Sequence, residues 1–101
     1  MIFETWDGNK KLEISINNIC AFKVDMISTM FNECKEVIVL RYNSSETVVK
    51  KDRNYEELIS DEMFTKIKTH NDIWYVNKDR LLAKHIYEDK IVLEFPYDIY
   101  V

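Results

Sequence analysis

The chain of 101 residues has a single Gly, a single Pro, two Cys and two His, and it has no long apolar run. One Gly excludes a glycine-rich phosphate-binding loop and leaves the turns to Asn, Asp and Ser. No apolar run approaches the roughly 20 residues that a membrane-spanning helix needs, so we expect no membrane association. Because 47% of the residues are hydrophobic and 13% are aromatic, we predict one packed domain over residues 1–101.

Positive charge is also in the minority. There are 14 Lys and Arg residues against 18 Asp and Glu residues, which gives a formal net charge of −4. That balance disfavours passive attraction to nucleic acid or anionic lipid, because counterion release requires clustered positive charge. The first residues carry an acid at position 4 and no long apolar segment, so they do not resemble a signal peptide. We therefore expect the protein in the cytoplasm of a host cell.

Residues that carry catalysis or bind metals are sparse. The spacings of Cys20 from Cys34 and of His70 from His85 lack the short pairs that are typical of structural zinc sites. No Ser lies in a Gly-flanked elbow, and the carboxylates at 56–57 and 61–62 are expected to form a solvated helix face. We predict reduced thiols, no catalytic residue, no metal and no cofactor, so the chain is not expected to be an enzyme.

One pattern occurs twice along the chain. Each copy, one over residues 14–49 and one over 74–101, has a short apolar strand, an Asn step, a second apolar stretch and a hairpin-like pair. The second copy fits the first only with two or three inserted residues, so the duplication is weak. Residues 12–24 alternate between apolar and polar side chains, as in a strand, whereas residues 26–35 break this alternation and are predicted to form a helical turn or an ordered loop. A hairpin is predicted in this copy from Val37 to Val49, across a turn at 43–45.

Between the two copies the hydrophobic period changes. Asn54 and Glu57 have the spacing of a capping box at the start of a helix. The apolar residues that follow have spacings of three, four and five and trace one helical stripe: Tyr55, Leu58, Ile59, Met63, Phe64 and Ile67. The predicted fold class is therefore α+β, with two small antiparallel β units joined by one central amphipathic helix over about residues 54–68.

The second half of the chain resembles a known family. Phe64, Lys66 and Ile67 match the start of a strand in LytTR-type DNA-binding domains, and Val76-Asn77 matches the Val-Asn step of that family. The resemblance covers mainly residues 54–101, and it extends over most of the chain if the N-terminal part is the first hairpin of the family. Lys68-Thr69-His70 departs from the His-Arg-Ser of the family. The resemblance implies a DNA-binding transcriptional regulator.

Candidate nucleic-acid-binding residues fall in two groups. They are Lys50, Lys51 and Arg53 before the predicted helix, and Lys66, Lys68, His70 and Asn71 at its exit. The length of the helix separates the two groups by about 20 Å, which suits two phosphate contacts across a groove. The alternative interpretation is an ordinary solubilising distribution of charge.

Aromatic and acidic residues crowd the last third of the chain. Alternating strands cannot hide both faces of so thin a domain, so some of these rings are expected to be exposed or covered by a partner. The predicted partner-binding residues are Trp74, Glu94, Tyr97, Asp98 and Tyr100. Such a surface suits a basic, nucleic-acid-binding protein, whereas the alternative is that the rings close the core.

The composition, rich in Lys, Ile, Asn and Tyr, is typical of an AT-rich genome. The leading functional hypothesis is a non-catalytic binding protein of phage or mobile-element type. It would inhibit or modulate a protein partner such as a host defence protein, in the manner of an anti-CRISPR. The alternative is a LytTR-like regulator that binds DNA. A homodimer is compatible with either hypothesis, whereas a small ligand between the β units would lack a phosphate-cradling loop.

Overall fold

The computed structural model describes residues 1–42, 45–52 and 63–96, together with the backbone of 98–100. These residues form ten strands and one 3-10 turn. The N-terminal elements are β1 (Ile2–Glu4), β2 (Lys11–Glu13), the 3-10 turn (Ile16–Asn18), β3 (Ile19–Ser28), β4 (Cys34–Tyr42) and β5 (Ser45–Lys50). The remaining strands are β6 (Phe64–Lys68), β7 (Ile73–Asn77), β8 (Ala83–Ile86), β9 (Ile91–Phe95) and β10 (Asp98–Tyr100).

The centre of the fold is an antiparallel sheet of five strands in the order β5-β4-β3-β7-β6. Its middle strands contain unbroken apolar stretches at residues 19–22 and 37–40, and all eight of these residues are buried. A strand that is apolar at every position must be covered on both faces, because successive side chains point to opposite sides. The sheet is accordingly the middle layer of the domain.

Each face of the central sheet has its own core. On one face Phe3 and Ile14, from the β1–β2 hairpin and the residue after it, pack with Phe22, Leu40 and Phe64. On the other face the buried residues come from the central sheet and from β9 of the second sheet, whose strand order is β10-β9-β8: Cys20, Ala21, Val39, Ile67, Trp74, Val76, Leu93 and Phe95. Two small β layers therefore cover the central sheet.

The Asn steps of the two sequence copies meet in space. Asn77 is fully buried, and its Nδ2 donates to the carbonyl of Ile19 at 3.0 Å and to that of Asn17 at 3.4 Å. Its Oδ1 accepts a hydrogen bond from the backbone N–H of Asp79 at 3.0 Å. The end of β7 is thus fastened to the 3-10 turn that precedes β3.

The predicted α+β class is wrong, and so is the predicted helix where the structure describes it. Within the described ranges the one helical element is the 3-10 turn, and Phe64–Lys68 is the edge strand β6. Phe64 packs in the first core and Ile67 in the second, on opposite faces of the sheet. A spacing of three fits a helix, but it also fits a strand that is buried on both faces. The rest of the predicted helix, residues 54–62, lies outside the described residues.

One sequence prediction of strand pairing holds. The predicted hairpin across residues 37–49 is confirmed as β4 and β5, which pair from Val37 opposite Lys50 to Tyr42 opposite Ser45. Within the parts of the chain that the structure describes, no helix has the length and apolar character needed to cross a membrane.

Burial of the central sheet on both faces predicts that Leu→Ala has different effects on stability at a buried and at an exposed position. Leu40 is 1% exposed, whereas Leu82 is 65% exposed. Leu40→Ala is expected to lower the free energy of unfolding by about 2–5 kcal/mol, because it removes buried methyl groups and leaves a cavity. Leu82→Ala should change it by no more than about 0.5 kcal/mol. Urea denaturation measures both, and equal effects of the two variants would contradict the layer arrangement.

The buried amide of Asn77 gives a second stability prediction. Asn77→Ala removes the donors to Asn17 and Ile19 and the acceptor for Asp79, and it should cost about 1–3 kcal/mol of unfolding free energy. Asn71→Ala, at an exposed position, is the control and should have little effect. An unchanged urea midpoint for Asn77→Ala would show that this network does not fasten β7 to the 3-10 turn.

Candidate protein-docking surface

The β3–β4 hairpin extends beyond the sheet to which it belongs. β3 has ten residues, but β7 pairs with it only at Ala21 and Phe22, and β5 follows β4 only as far as Val37. Beyond these positions the two strands pair with each other alone, within the part of the chain that the structure describes, at Met26–Glu36, Ile27–Lys35 and Ser28–Cys34. Three such pairs span roughly 10 Å of strand. We call residues 26–36, with the turn that joins the strands, the tip ribbon.

The turn of the tip ribbon is closed by hydrogen bonds. The N–H of Asn32 donates to the carbonyl of Thr29 at 3.1 Å, and the N–H of Thr29 donates to the carbonyl of Glu33 at 2.8 Å. Asn32 has φ of 60°, a left-handed conformation that Asn tolerates better than most residues. This is the three-residue hairpin loop in which a tight turn is followed by a left-handed residue. Met30 and Phe31 occupy the central positions of the turn and are 89% and 78% exposed.

A second turn presents Trp6 beside the tip ribbon. The turn between β1 and β2 is closed by the N–H of Thr5, which donates to the carbonyl of Lys10 at 3.0 Å, and the single Gly of the chain, Gly8, takes φ of 76° within it. The carboxylate of Asp7 accepts hydrogen bonds from the backbone N–H of Asn9 and from the Thr5 hydroxyl, which hold the pKa of Asp7 below its ordinary value. The side chain of Trp6 is 49% exposed on this turn, and the backbone N–H of Trp6 donates to the carbonyl of Val48 at 3.2 Å.

The two turns enclose a groove of about 430 Å³. Its apolar lining comes from Trp6, Met30 and Phe31, and its charged lining includes Glu33 and Lys35. A neighbouring groove of about 350 Å³ shares Trp6 and Lys35 and adds Ile27, Val37 and Lys50, among others. We call the first groove and the exposed turn of the tip ribbon the docking surface. Exposed apolar residues gathered around a concavity are typical of protein-interaction sites.

The predicted partner-binding residues lie elsewhere, on β7 and the second sheet. Trp74 is 6% exposed, and the cationic groups of Lys23 and Arg41 lie 5.1 and 5.9 Å from the centroid of its ring. The ring of Trp74 therefore contributes to the core and not to an exposed surface, which corrects its predicted role as a surface anchor. Glu94 on β9 is partly buried and lies 3.5 Å from His85.

The other predicted partner-binding residues belong to the end of the chain. In the register of β9 and β10, Asp98 pairs with Phe95 and Tyr100 pairs with Leu93, whereas Glu94 pairs with Ile99. Glu94 and Asp98 therefore do not pair with each other. Tyr97 lies outside the described residues.

The predicted basic residues are separated by the strand order. Lys50 forms an ion pair with Glu4 at 3.1 Å, and Lys51 forms one with Glu36 at 3.0 Å, both at the β5 side of the sheet. The second predicted group, Lys66, Lys68, His70 and Asn71, lies on β6 and the turn after it, at the opposite edge. Arg53 lies outside the described residues. Four strand spacings, about 19 Å, separate the two edges, so the groups do not form one continuous stripe.

The structure adds residues to the second basic group. His70 Nδ1 lies 3.1 Å from the carbonyl oxygen of Asp89, which joins the turn after β6 to the turn after β8. A shallow groove of about 280 Å³ follows this contact and is lined by Lys68, Thr69, His70, Tyr87, Asp89, Lys90 and Ile91. The ammonium of Lys90 lies 5.3 Å from the centroid of the Tyr87 ring.

The described residues offer little for metal chemistry. Among them no three His, Cys, Asp or Glu side chains gather closely enough to hold an ion. Neither cysteine forms a disulfide; Cys20 is buried and Cys34 is exposed.

Comparison with family models, with curated proteins and with solved structures found no match to this chain. The resemblance of residues 54–101 to LytTR-type domains therefore stays a prediction.

Sequence reasoning missed Trp6, Met30 and Phe31. The signal that could have found the tip was the segment Thr29-Met30-Phe31-Asn32-Glu33, which lies between two stretches of strand-forming residues. It contains Asn at the position of a hairpin loop that favours a left-handed residue. The position of Trp6 depends on contacts far along the chain, and no local pattern indicates it.

Proposed function

We propose that this protein is a non-catalytic protein-binding module that docks onto its partner through the docking surface. The observation that carries the proposal is the exposure of Met30 and Phe31 at the centre of a hydrogen-bonded turn, beside the half-exposed Trp6. A module of this kind acts by occupying a surface of its partner. The proposed outcome is therefore inhibition or modulation of a protein in the cytoplasm of a host cell.

The apolar side chains supply the driving force in this proposal. Full burial of a Met or Phe side chain contributes about 1.5–3 kcal/mol, so covering both residues at the tip is worth about 3–6 kcal/mol before the costs of association. Aromatic residues and Met are enriched at the centres of protein interfaces. Because hydrogen bonds already fix both turns, little backbone entropy is lost when a partner binds.

A competing docking position lies on the second sheet. Ile86 in β8 and its neighbours Leu82 and Tyr87 outside the strand are exposed, in the last third of the chain where the sequence predicted partner binding. β8 has only four residues and carries Lys84, and short, charged edge strands are the usual means of preventing association. The tip ribbon is favoured because it combines exposed rings with an adjoining groove.

Site-specific photo-cross-linking tests the proposal. Phe31 is replaced by the photoreactive amino acid p-benzoylphenylalanine, and the protein is irradiated in a lysate of the cells that produce it. We expect an adduct with a defined protein, because the ring at this position lies in the interface. Excess unlabelled wild-type protein should remove the adduct, whereas excess Met30→Ser protein should compete poorly.

The control for this experiment carries the photoreactive residue at Ile86, which is 71% exposed on the other sheet. It should not give the same adduct. An adduct from position 86 and none from position 31 would move the docking surface to β8. Thermal melts of Met30→Ser and wild type should coincide, because Met30 contributes nothing to the core.

Nucleic-acid binding is the second candidate function. The observation that favours it is the groove that brings Lys68, His70 and Lys90 together beside Tyr87, whose ring is exposed enough to stack on a base. The LytTR resemblance implies the same activity. Asp89 in this groove and the net charge of −4 oppose it.

Paired double substitutions test the second candidate. If the β6 side of the sheet binds DNA, Lys66→Ala with Lys68→Ala should weaken binding to a labelled duplex. The slope of log K against log salt should fall by about 1.8, which corresponds to two phosphate contacts.

Lys50→Ala with Lys51→Ala removes the same charge at the opposite edge and serves as the control. Equal effects of the two double variants would indicate an unspecific charge effect. No retardation of the duplex by micromolar wild-type protein at about 50 mM salt would retire the candidate.

A further inference from the structure

The docking surface contains a projection and a recess of similar chemistry side by side. The projection is the turn with Met30 and Phe31, and the recess is the groove of about 430 Å³ between that turn and Trp6. Both are apolar at their centres. Two copies related by a two-fold axis can therefore each place the projection in the recess of the other.

The charges of the docking surface have the same self-complementary arrangement. Glu33, the residue before β4, and Lys35, the second residue of β4, both line the groove. Neither has an ion pair with any side chain in the ranges that the structure describes. The third charged residue of the groove, Asp7, is already engaged by Thr5 and Asn9. The groove thus offers one acid and one base for contacts outside the domain.

We propose that the docking surface binds a second copy of this chain and forms a closed, two-fold symmetric dimer. The inference rests on the proposed function, because it uses the same surface: a protein of the host cell would bind there only by displacing the second copy. In this dimer Glu33 of one copy faces Lys35 of the other, and the same contact occurs again across the axis. A two-fold contact uses one patch on both copies and is the commonest symmetry of soluble oligomers.

A closed dimer also removes a hazard of the monomer. An exposed apolar projection beside a recess that fits it can join molecules head to tail into open chains. The two-fold arrangement consumes the projection and the recess of both copies, so nothing is left for a third copy.

Charge reversal tests the geometry of the dimer. Sedimentation of the wild type at about 100 µM should give close to twice the 12.2 kDa mass of one chain, because a dimer with a dissociation constant of about 1 µM is mostly assembled at that concentration. Lys35→Glu places two acids in each symmetric contact, and Glu33→Lys places two bases there. Each single variant should raise the dissociation constant at least about tenfold, because like charges in an interface are strongly unfavourable.

Mixing the two single variants is the decisive arm. An equimolar mixture of Lys35→Glu and Glu33→Lys forms a heterodimer in which both contacts again join an acid to a base. The mixture should therefore recover dimer at concentrations at which each variant alone is monomeric. The double variant that exchanges both charges should recover it as well. Both positions are exposed, so thermal melts should remain those of the wild type.

Phe31→Ser tests the apolar part and should abolish the dimer at the same concentration. A monomeric wild type at about 100 µM would overturn the inference, and so would a dimer that neither Phe31→Ser nor the charge reversals weaken. A monomer whose residue 31 still cross-links to a different protein would overturn the second-copy inference and leave the proposed function intact. A monomer with no adduct at position 31 would overturn both.

Discussion

Burial of the central sheet on both faces is the constraint on which the rest of the structure depends. Residues 19–22 and 37–40 are apolar without interruption, and no single layer can cover side chains that point in opposite directions. The β1–β2 hairpin covers one face, and the sheet of β8, β9 and β10 covers the other. Among the residues that the structure describes, neither covering layer has a core of its own. Both are stabilised by the side chains that the central strands present to them, and Asn77 fastens the end of β7 to the turn before β3.

The same arrangement explains why the candidate site lies where it does. The covering layers are short, with strands of three to five residues, whereas β3 and β4 have ten and nine. A long hairpin between short layers must extend past them, and the part that extends can bury neither of its faces. Polar residues would make such a ribbon an ordinary exposed hairpin. Met30 and Phe31 at its end, opposite Trp6, give it an apolar surface that the domain itself cannot cover.

The limits of prediction from the sequence follow from that double burial. The hairpin of β4 and β5 was predictable because its apolar run is bounded by turn residues. Phe64 and Ile67 were misread as one helix stripe because a strand with two buried faces loses its period of two. The alternation of a strand shows which residues share a face, but it does not show whether another layer covers that face. The sequence therefore predicts an exposed position for Trp74. Its cover comes from Leu93 and Phe95, which are distant in the chain.

Binding and stability are separated in this architecture. The side chains that hold the layers together form two cores, whose members range along the chain from Phe3 to Phe95. Met30 and Phe31, the apolar turn residues of the tip ribbon, belong to neither core. The tip residues can therefore be substituted without loss of the fold. Trp74 cannot, because it lies between Lys23, Arg41 and the second core. The turn at the tip is closed locally, by the hydrogen bonds of Thr29 and the left-handed backbone of Asn32. Because its apolar turn residues lie outside both cores, this surface can change toward a partner at little cost in folding, which supports the proposal that this end of the molecule binds a partner.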